Sequence, residues 1–253
     1  MPVVERDGAS IYYEEWGSGY PVLLLAPGGL NSAIPFWDHI QLDPIGSFAD
    51  EFHIIAMDQR NAARSSGPLR PDDPWGMYAG DQLAVLDARG IDQAIVFGCC
   101  IGSSFVLKLT ELAPKRVTAG VLMDPTGVIR PPIGPSWTDL GDFGPSMWLP
   151  WGEDLIAAGA AIDRRTLDAF GHGLFDPDFV FSVSRDFVRT IATPMLVLDG
   201  DDRTHPKAVS EELAALLPNV ERIERWRGSV PVVDTAREAV RAFLRRQARA
   251  EVC

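Results

Sequence analysis

Residues 94–112 constrain this chain more than any other stretch. Ala94-Ile95-Val96-Phe97 is a short apolar run of strand character and leads into Gly98-Cys99-Cys100-Ile101-Gly102. Phe105, Leu109 and Leu112 then recur at helical spacing. A strand that becomes a helix across Gly-x-Cys-x-Gly turns so tightly that both flanking residues must be glycine. The middle residue is then held out above the strand end, where a nucleophile is presented. Here that residue is Cys100.

The remaining elements repeat one rhythm. Val3–Arg6 and Ile11–Glu15 form a predicted hairpin around Asp7-Gly8. Pro21–Ala26 is unbroken apolar sequence, typical of a strand buried on both faces, and runs into Pro27-Gly28-Gly29-Leu30-Asn31. A strand over Phe52–Asp58, a helix over 77–89 stopped by Gly90, and a strand over Val117–Met123 ending at Asp124-Pro125 follow. After an irregular stretch come a strand from Met195 to Gly200, a helix over 206–217 and a strand over Val220–Trp226. A last helix carries the stripe Val233, Ala236, Val240, Phe243 and Leu244. Strands alternating with helices imply a mostly parallel sheet covered on both faces.

Residues 126–190 break the rhythm with prolines, glycines and aromatics, and contain short helices near 152–171 and 177–190. The pattern predicts a core of residues 1–125 and 191–253, with 126–190 inserted as a small cap over the strand ends.

A net charge of -12 argues against nucleic acid or an anionic membrane as partner. No apolar run approaches the roughly 20 residues that span a bilayer. The first residues show no basic leader before an apolar run, and three cysteines, two of them adjacent, make no disulfide framework. These features predict a reducing cytoplasm, a small-molecule substrate, and a monomer or homodimer. No metal-ligand cluster or dinucleotide fingerprint is recognisable, so no cofactor is expected.

Together the segments resemble the α/β-hydrolase superfamily over essentially the whole chain. Pro27-Gly28-Gly29 is similar to its oxyanion loop, Asp58–Ser65 to its Asp-x-Arg-Gly-x-Gly-x-Ser loop with both glycines replaced, and Gly98–Gly102 to its nucleophile elbow. Pro194–Asp202 with Pro206 resembles the strand and loop that carry the catalytic acid. The resemblance implies an α/β-hydrolase fold: an eight-stranded, mostly parallel sheet with helices on both faces. Two departures stand out. Cysteine at the elbow resembles the dienelactone hydrolases. The stretch after the last strand, Arg225–Ser229, lacks the family's histidine; the four histidines are His39, His53, His172 and His205.

Cys100 is the expected nucleophile, since a helix N-terminus stabilises a thiolate. Ile101 and either Gly29 or Leu30 are the expected backbone oxyanion donors. Asp202 is the expected acid by its spacing to Pro206, with Asp201 and Asp124 as alternatives. His205 lies on the only loop of that face with both a carboxylate and a histidine, and is the expected base. Trp137, Trp148, Trp151, His172, Arg185 and Asp124 are weaker substrate-binding candidates. His53 opens a strand on the far side and Arg60 is expected to tie a loop.

The expected function is ester, lactone or thioester hydrolysis of a small, partly apolar molecule through Cys100. The missing histidine leaves two alternatives: lyase, isomerase or cyclase chemistry without water activation, and a catalytically silent ligand-binding protein.

Overall fold

A computed structural model describes residues 2–128, 145–177 and 179–250. One sheet of eight strands runs in the order β1-β2-β4-β3-β5-β6-β7-β8. Its strands are β1 (Val3–Arg6), β2 (Ala9–Trp16), β3 (Tyr20–Leu25), β4 (Phe52–Met57), β5 (Ala94–Cys99), β6 (Val117–Met123), β7 (Met195–Leu198) and β8 (Val220–Ile223). β1–β2 and β2–β4 are antiparallel and every other pair is parallel. The antiparallel β1–β2 pair follows from the short Asp7-Gly8 turn, because a parallel neighbour needs a long crossover. Val22 to Leu25 and Ala94 to Phe97 are fully buried, as continuous apolar runs in a sheet covered on both faces should be.

The helices are α1 (Pro44–Phe48), α2 (Pro74–Ala88), α3 (Ile101–Leu112), α4 (Pro145–Ala157), α5 (Arg164–Phe175), α6 (Arg185–Val188), α7 (Lys207–Leu216) and α8 (Val230–Ala250). Asp73 caps α2 by accepting from the Gly76 N–H at 3.0 Å, with Pro74 at the first helical position. Trp75 and Tyr78 of α2 pack on Phe105 of α3 with ring centroids 5.4 and 5.0 Å apart, and Tyr78 reaches Phe170 of α5 at 6.0 Å. The predicted stripe on α8 is buried. Arg241 and Arg245 of α8 are bonded to Glu51 ahead of β4. These arginines hold the Glu51 carboxyl below its ordinary pKa. No described helix is long and apolar enough to cross a membrane.

Between β6 and β7 the helices differ from the sequence expectation near 152–171 and 177–190. The first helical pattern divides into α4 and α5, because Asp163 accepts from the Thr166 N–H at 2.8 Å and starts a new helix. The second shrinks to the single turn α6: Phe179 and Phe181 have φ of 66° and 65°, which no right-handed helix accepts. β7 and β8 also stop two and three residues short of the expected strand ends at Gly200 and Trp226.

β3 sits centrally. The chain leaves it to β4 on one side and returns to β5 on the other. The carboxyl ends of β3 and β5 therefore flank a topological switch point, where parallel sheets leave a crevice for ligands.

Candidate active site

Cys100 adopts φ 57° and ψ −121° between β5 and α3. A Cβ on Gly98 would stand 2.1 Å from the Gly102 carbonyl oxygen, and one on Gly102 would stand 2.0 Å from that of Leu25. The turn is thus closed to any side chain at either position. The Cys100 N–H donates to the Met123 carbonyl at 2.9 Å, and the Ser103 hydroxyl bridges the Gly98 and Met123 carbonyls at 3.2 Å each. These bonds pin a backbone conformation that a non-glycine residue adopts at a cost. Both Cys99 and Cys100 are free thiols. Burial raises the Cys99 pKa well above its ordinary value, which keeps that thiol neutral.

The loop after β3 supplies the opposite wall. Gly28, with φ 116°, starts a 3₁₀ turn over Gly29–Asn31, and the Asn31 N–H donates to the Gly28 carbonyl at 2.9 Å. Asp58 supports this loop by accepting from the Ile34 N–H at 2.8 Å and from Arg64 Nε at 2.8 Å. Asn61 and Ala63 have φ of 65° and 44°. They stand where the family-like loop has glycines and keep a glycine-like backbone. Arg60 is fully buried against Asp81, with 2.6 and 2.8 Å bonds that tie this loop to α2.

His205 arrives from the loop after β7. Asp202 Oδ1 accepts from the Thr204 and His205 N–H groups at 2.9 and 2.8 Å, and the imidazole Nδ1 lies 2.9 Å from the same oxygen. The other ring nitrogen, Nε2, is buried and has the Cys100 thiol as its neighbour. Burial works to lower the His205 pKa. Hydrogen bonding and charge attraction to Cys100, then Asp202 and Asp124, outweigh it and raise the value to about 10. The same pairing lowers the Asp202 pKa against the opposing effect of its partial burial.

Asp124, at the end of β6 with φ 49°, is the second carboxylate of the site. Arg227, from the loop after β8, donates to Asp124 Oδ2 at 2.6 Å and to Asp202 Oδ2 at 3.2 Å, and also binds Asp201. Burial raises the Asp124 pKa to about 6, with His205 and Arg227 opposing the rise. Asp124, Asp202 and His205 place one ligand-type atom each within 4.8 Å of one another, the spacing of a metal site among the described residues. Arg227 already supplies a positive charge bonded to both carboxylates, so a cation there would have to displace it.

Residues 21–164 match the sequence profile described as alpha/beta hydrolase fold. The chain belongs to this family. It is 34% identical over 117 residues to a putative carbamate hydrolase, RutD, of Azorhizobium caulinodans, covering 46% of this chain and 42% of that protein. It is 35% identical over 124 residues to a zearalenone hydrolase of Cladophialophora bantiana, covering 47% and 44%. The chain thus matches less than half the length of either relative. The enol-lactonase of Burkholderia xenovorans LB400 has the same fold, with a TM-score of 0.69 at 16% identity over 96% of this chain and 99% of the other.

In this α/β hydrolase the switch-point crevice is a cavity of about 350 Å³. Cys100, Ile101, Leu30, His205 and Asp124 all line it, with Trp148 and Trp151 of α4 facing them. Phe36, Ile40, Asn31 and Thr204 also line it. Asn31 and Thr204 lie in the two loops that the sequence marks, whereas Phe36 and Ile40 belong to a segment with no motif of its own. Arg227 is equally silent in the sequence, one of two arginines in a stretch whose family pattern calls for a histidine.

Other candidates lie elsewhere. His172 is exposed and paired with Asp176 at 3.1 Å, its ring beside Trp148. Arg185 is not in the Cys100 cavity: it binds Glu212 of α7 at 2.6 Å and stacks over Phe179. His53 pairs with Glu15 at 2.7 Å on the opposite face, as expected of a structural residue. Trp137 lies outside the described residues.

Proposed function

We propose that this α/β hydrolase cleaves a carbonyl substrate, an ester, lactone or thioester, with Cys100 as the nucleophile. The observation that carries this reading is the convergence of the Cys100 elbow with the His205–Asp202 pair on one cavity. The cysteine thiolate adds to the carbonyl carbon. N–H groups of Ile101 and of Gly29 or Leu30 stabilise the oxyanion, because a helix start and a glycine turn leave such donors unused by the backbone. The imidazolium of His205, held by Asp202, protonates the departing alkoxide or thiolate.

His205 reaches the site from the acid loop and takes over the work of the histidine missing after β8, with Arg227 standing in that place. A proton donor beside the elbow, left as a neutral base once the leaving group has departed, supports hydrolysis over lyase or isomerase chemistry. The hydrolase names of the relatives point the same way. The wall of Leu30, Phe36, Ile40, Trp148 and Trp151 suits an uncharged, apolar acyl or lactone body, with α4 acting as part of a cap.

Steady-state hydrolysis of a panel of 4-nitrophenyl esters, thioesters and lactones by wild type and Cys100→Ala tests this. Turnover of at least one class by wild type, reduced by at least about 10³-fold in the variant, is expected. Equal rates in the two proteins would remove Cys100 from the mechanism.

A further inference from the structure

Asp124 has one oxygen in use and one to spare. Oδ2 is tethered by Arg227, while Oδ1 is buried with no protein partner, in a residue only 4% exposed. A buried acceptor left unpaired costs about 1–3 kcal/mol, so such an atom in a residue that lines a cavity points to something it binds. His205 Nε2, a donor in the imidazolium, belongs to the same wall and has Cys100 as its interacting neighbour. An acceptor and a donor that line one cavity with Cys100 complement a molecule offering both a proton and a lone pair.

We propose that Asp124 is a second catalytic base, whose Oδ1 takes the proton from the water that hydrolyses the acyl-Cys100 thioester. This rests on the nucleophilic role proposed above. The water oxygen forms a bond to the thioester carbon and gives one proton to Asp124. The tetrahedral intermediate then breaks its C–S bond and returns Sγ as thiolate. The carboxylic acid so formed gives its proton to His205, and Asp124 releases the other to solvent.

Geometry fits the task. The strand end of β6 and the Arg227 tether fix the carboxylate, leaving Oδ1 without a protein partner. The charged groups facing it are His205 and Asp202 from the β7 loop and Arg227 from the β8 loop, with the thiols of Cys99 and Cys100 at the elbow. In this setting a carboxylate with a pKa of about 6 is ionised at neutral pH yet more basic than an ordinary aspartate.

The test is pre-steady-state hydrolysis of a 4-nitrophenyl ester by Asp124→Asn, with intact mass read in parallel. The expected result is a burst of about one equivalent of nitrophenol at the wild-type rate, then turnover reduced by about 10²–10⁴-fold, with Cys100 acylated at steady state. Hydroxylamine, a nucleophile that needs no base to react with a thioester, should restore release in the variant. In wild type, the decay of preformed acyl-enzyme should accelerate through a single ionisation near pH 6, a readout that does not depend on the variant's folding.

Wild-type turnover in Asp124→Asn would overturn the proposal, as would a flat pH profile of wild-type deacylation or acylation and deacylation falling together. If instead wild type forms no adduct on Cys100 while hydrolysing the ester, the nucleophile assignment fails and this proposal fails with it.

Discussion

His205 and Asp202 are three residues apart in sequence, yet the imidazole Nδ1 sits 2.9 Å from the carboxylate that also caps its own backbone N–H. Acid and base share one turn instead of arriving from separate loops. Replacing Asp202 with Asn should therefore act twice, by loosening the turn and by releasing the tautomer of His205. We expect kcat/KM to fall about 10²–10⁴-fold in His205→Ala and by a similar factor in Asp202→Asn, measured on whichever ester wild type hydrolyses. Unchanged kinetics in His205→Ala would exclude it as the proton donor.

The charge state of His205 should report on Cys100. Interaction with the cysteine is the leading influence that lifts its pKa to about 10, so Cys100→Ala should lower that value. Titration of the imidazole by NMR reads this directly.

The stability consequence has a definite sign. The folded His205 pKa lies above the ordinary 6.5, so its contribution is fully present below pH 6.5 and is lost as pH rises through about 10. Urea unfolding between pH 6.5 and 10 should show a steeper loss of stability in wild type than in His205→Gln.

Arg227 holds together two carboxylates that would otherwise repel each other. Removing one partner of a buried ion pair costs about 3–5 kcal/mol, and the partial exposure of this guanidinium lowers the expectation for Arg227→Met to about 2–3 kcal/mol. The loss should shrink when Asp124→Asn is added, because one of the unbalanced charges is then gone. Denaturant unfolding of the two single variants and the double variant measures this coupling.

Ala63 occupies a left-handed backbone at φ 44°, where the Cβ is disfavoured. Ala63→Gly should relieve that strain, offset by the greater freedom of glycine in the unfolded chain, for a net gain of about 0.5–1 kcal/mol in urea unfolding. A destabilised variant would mean that the Ala63 methyl contributes packing that outweighs the strain.

The sheet is legible in the sequence because its strands are continuous apolar runs and its turns carry glycine for steric reasons. Gly98 and Gly102 specify the elbow by their spacing alone, since no Cβ fits at either place. That Cys100, His205 and Asp202 lie at one end of the sheet is legible too, because each follows a parallel core strand and the carboxyl ends of those strands share that end; the reach of His205 to Cys100 is not. Helix limits between β6 and β7 are not. The Asp163 cap is one aspartate among several in that stretch, and nothing local in Phe179 or Phe181 announces a left-handed backbone. Arg227 is hidden in the sequence because its importance is purely tertiary. Its partners Asp124 and Asp202 lie 103 and 25 residues away, and only the folded sheet brings the three loops together.

The most direct test of the central claim is intact-mass analysis of wild type, Cys100→Ala and Cys99→Ala quenched in acid within seconds of mixing with an activated ester. The account predicts one acyl group on wild type and on Cys99→Ala, none on Cys100→Ala, and loss of the adduct as substrate is exhausted. Acylation that persists in Cys100→Ala, or hydrolysis by wild type with no adduct at any time, would contradict it.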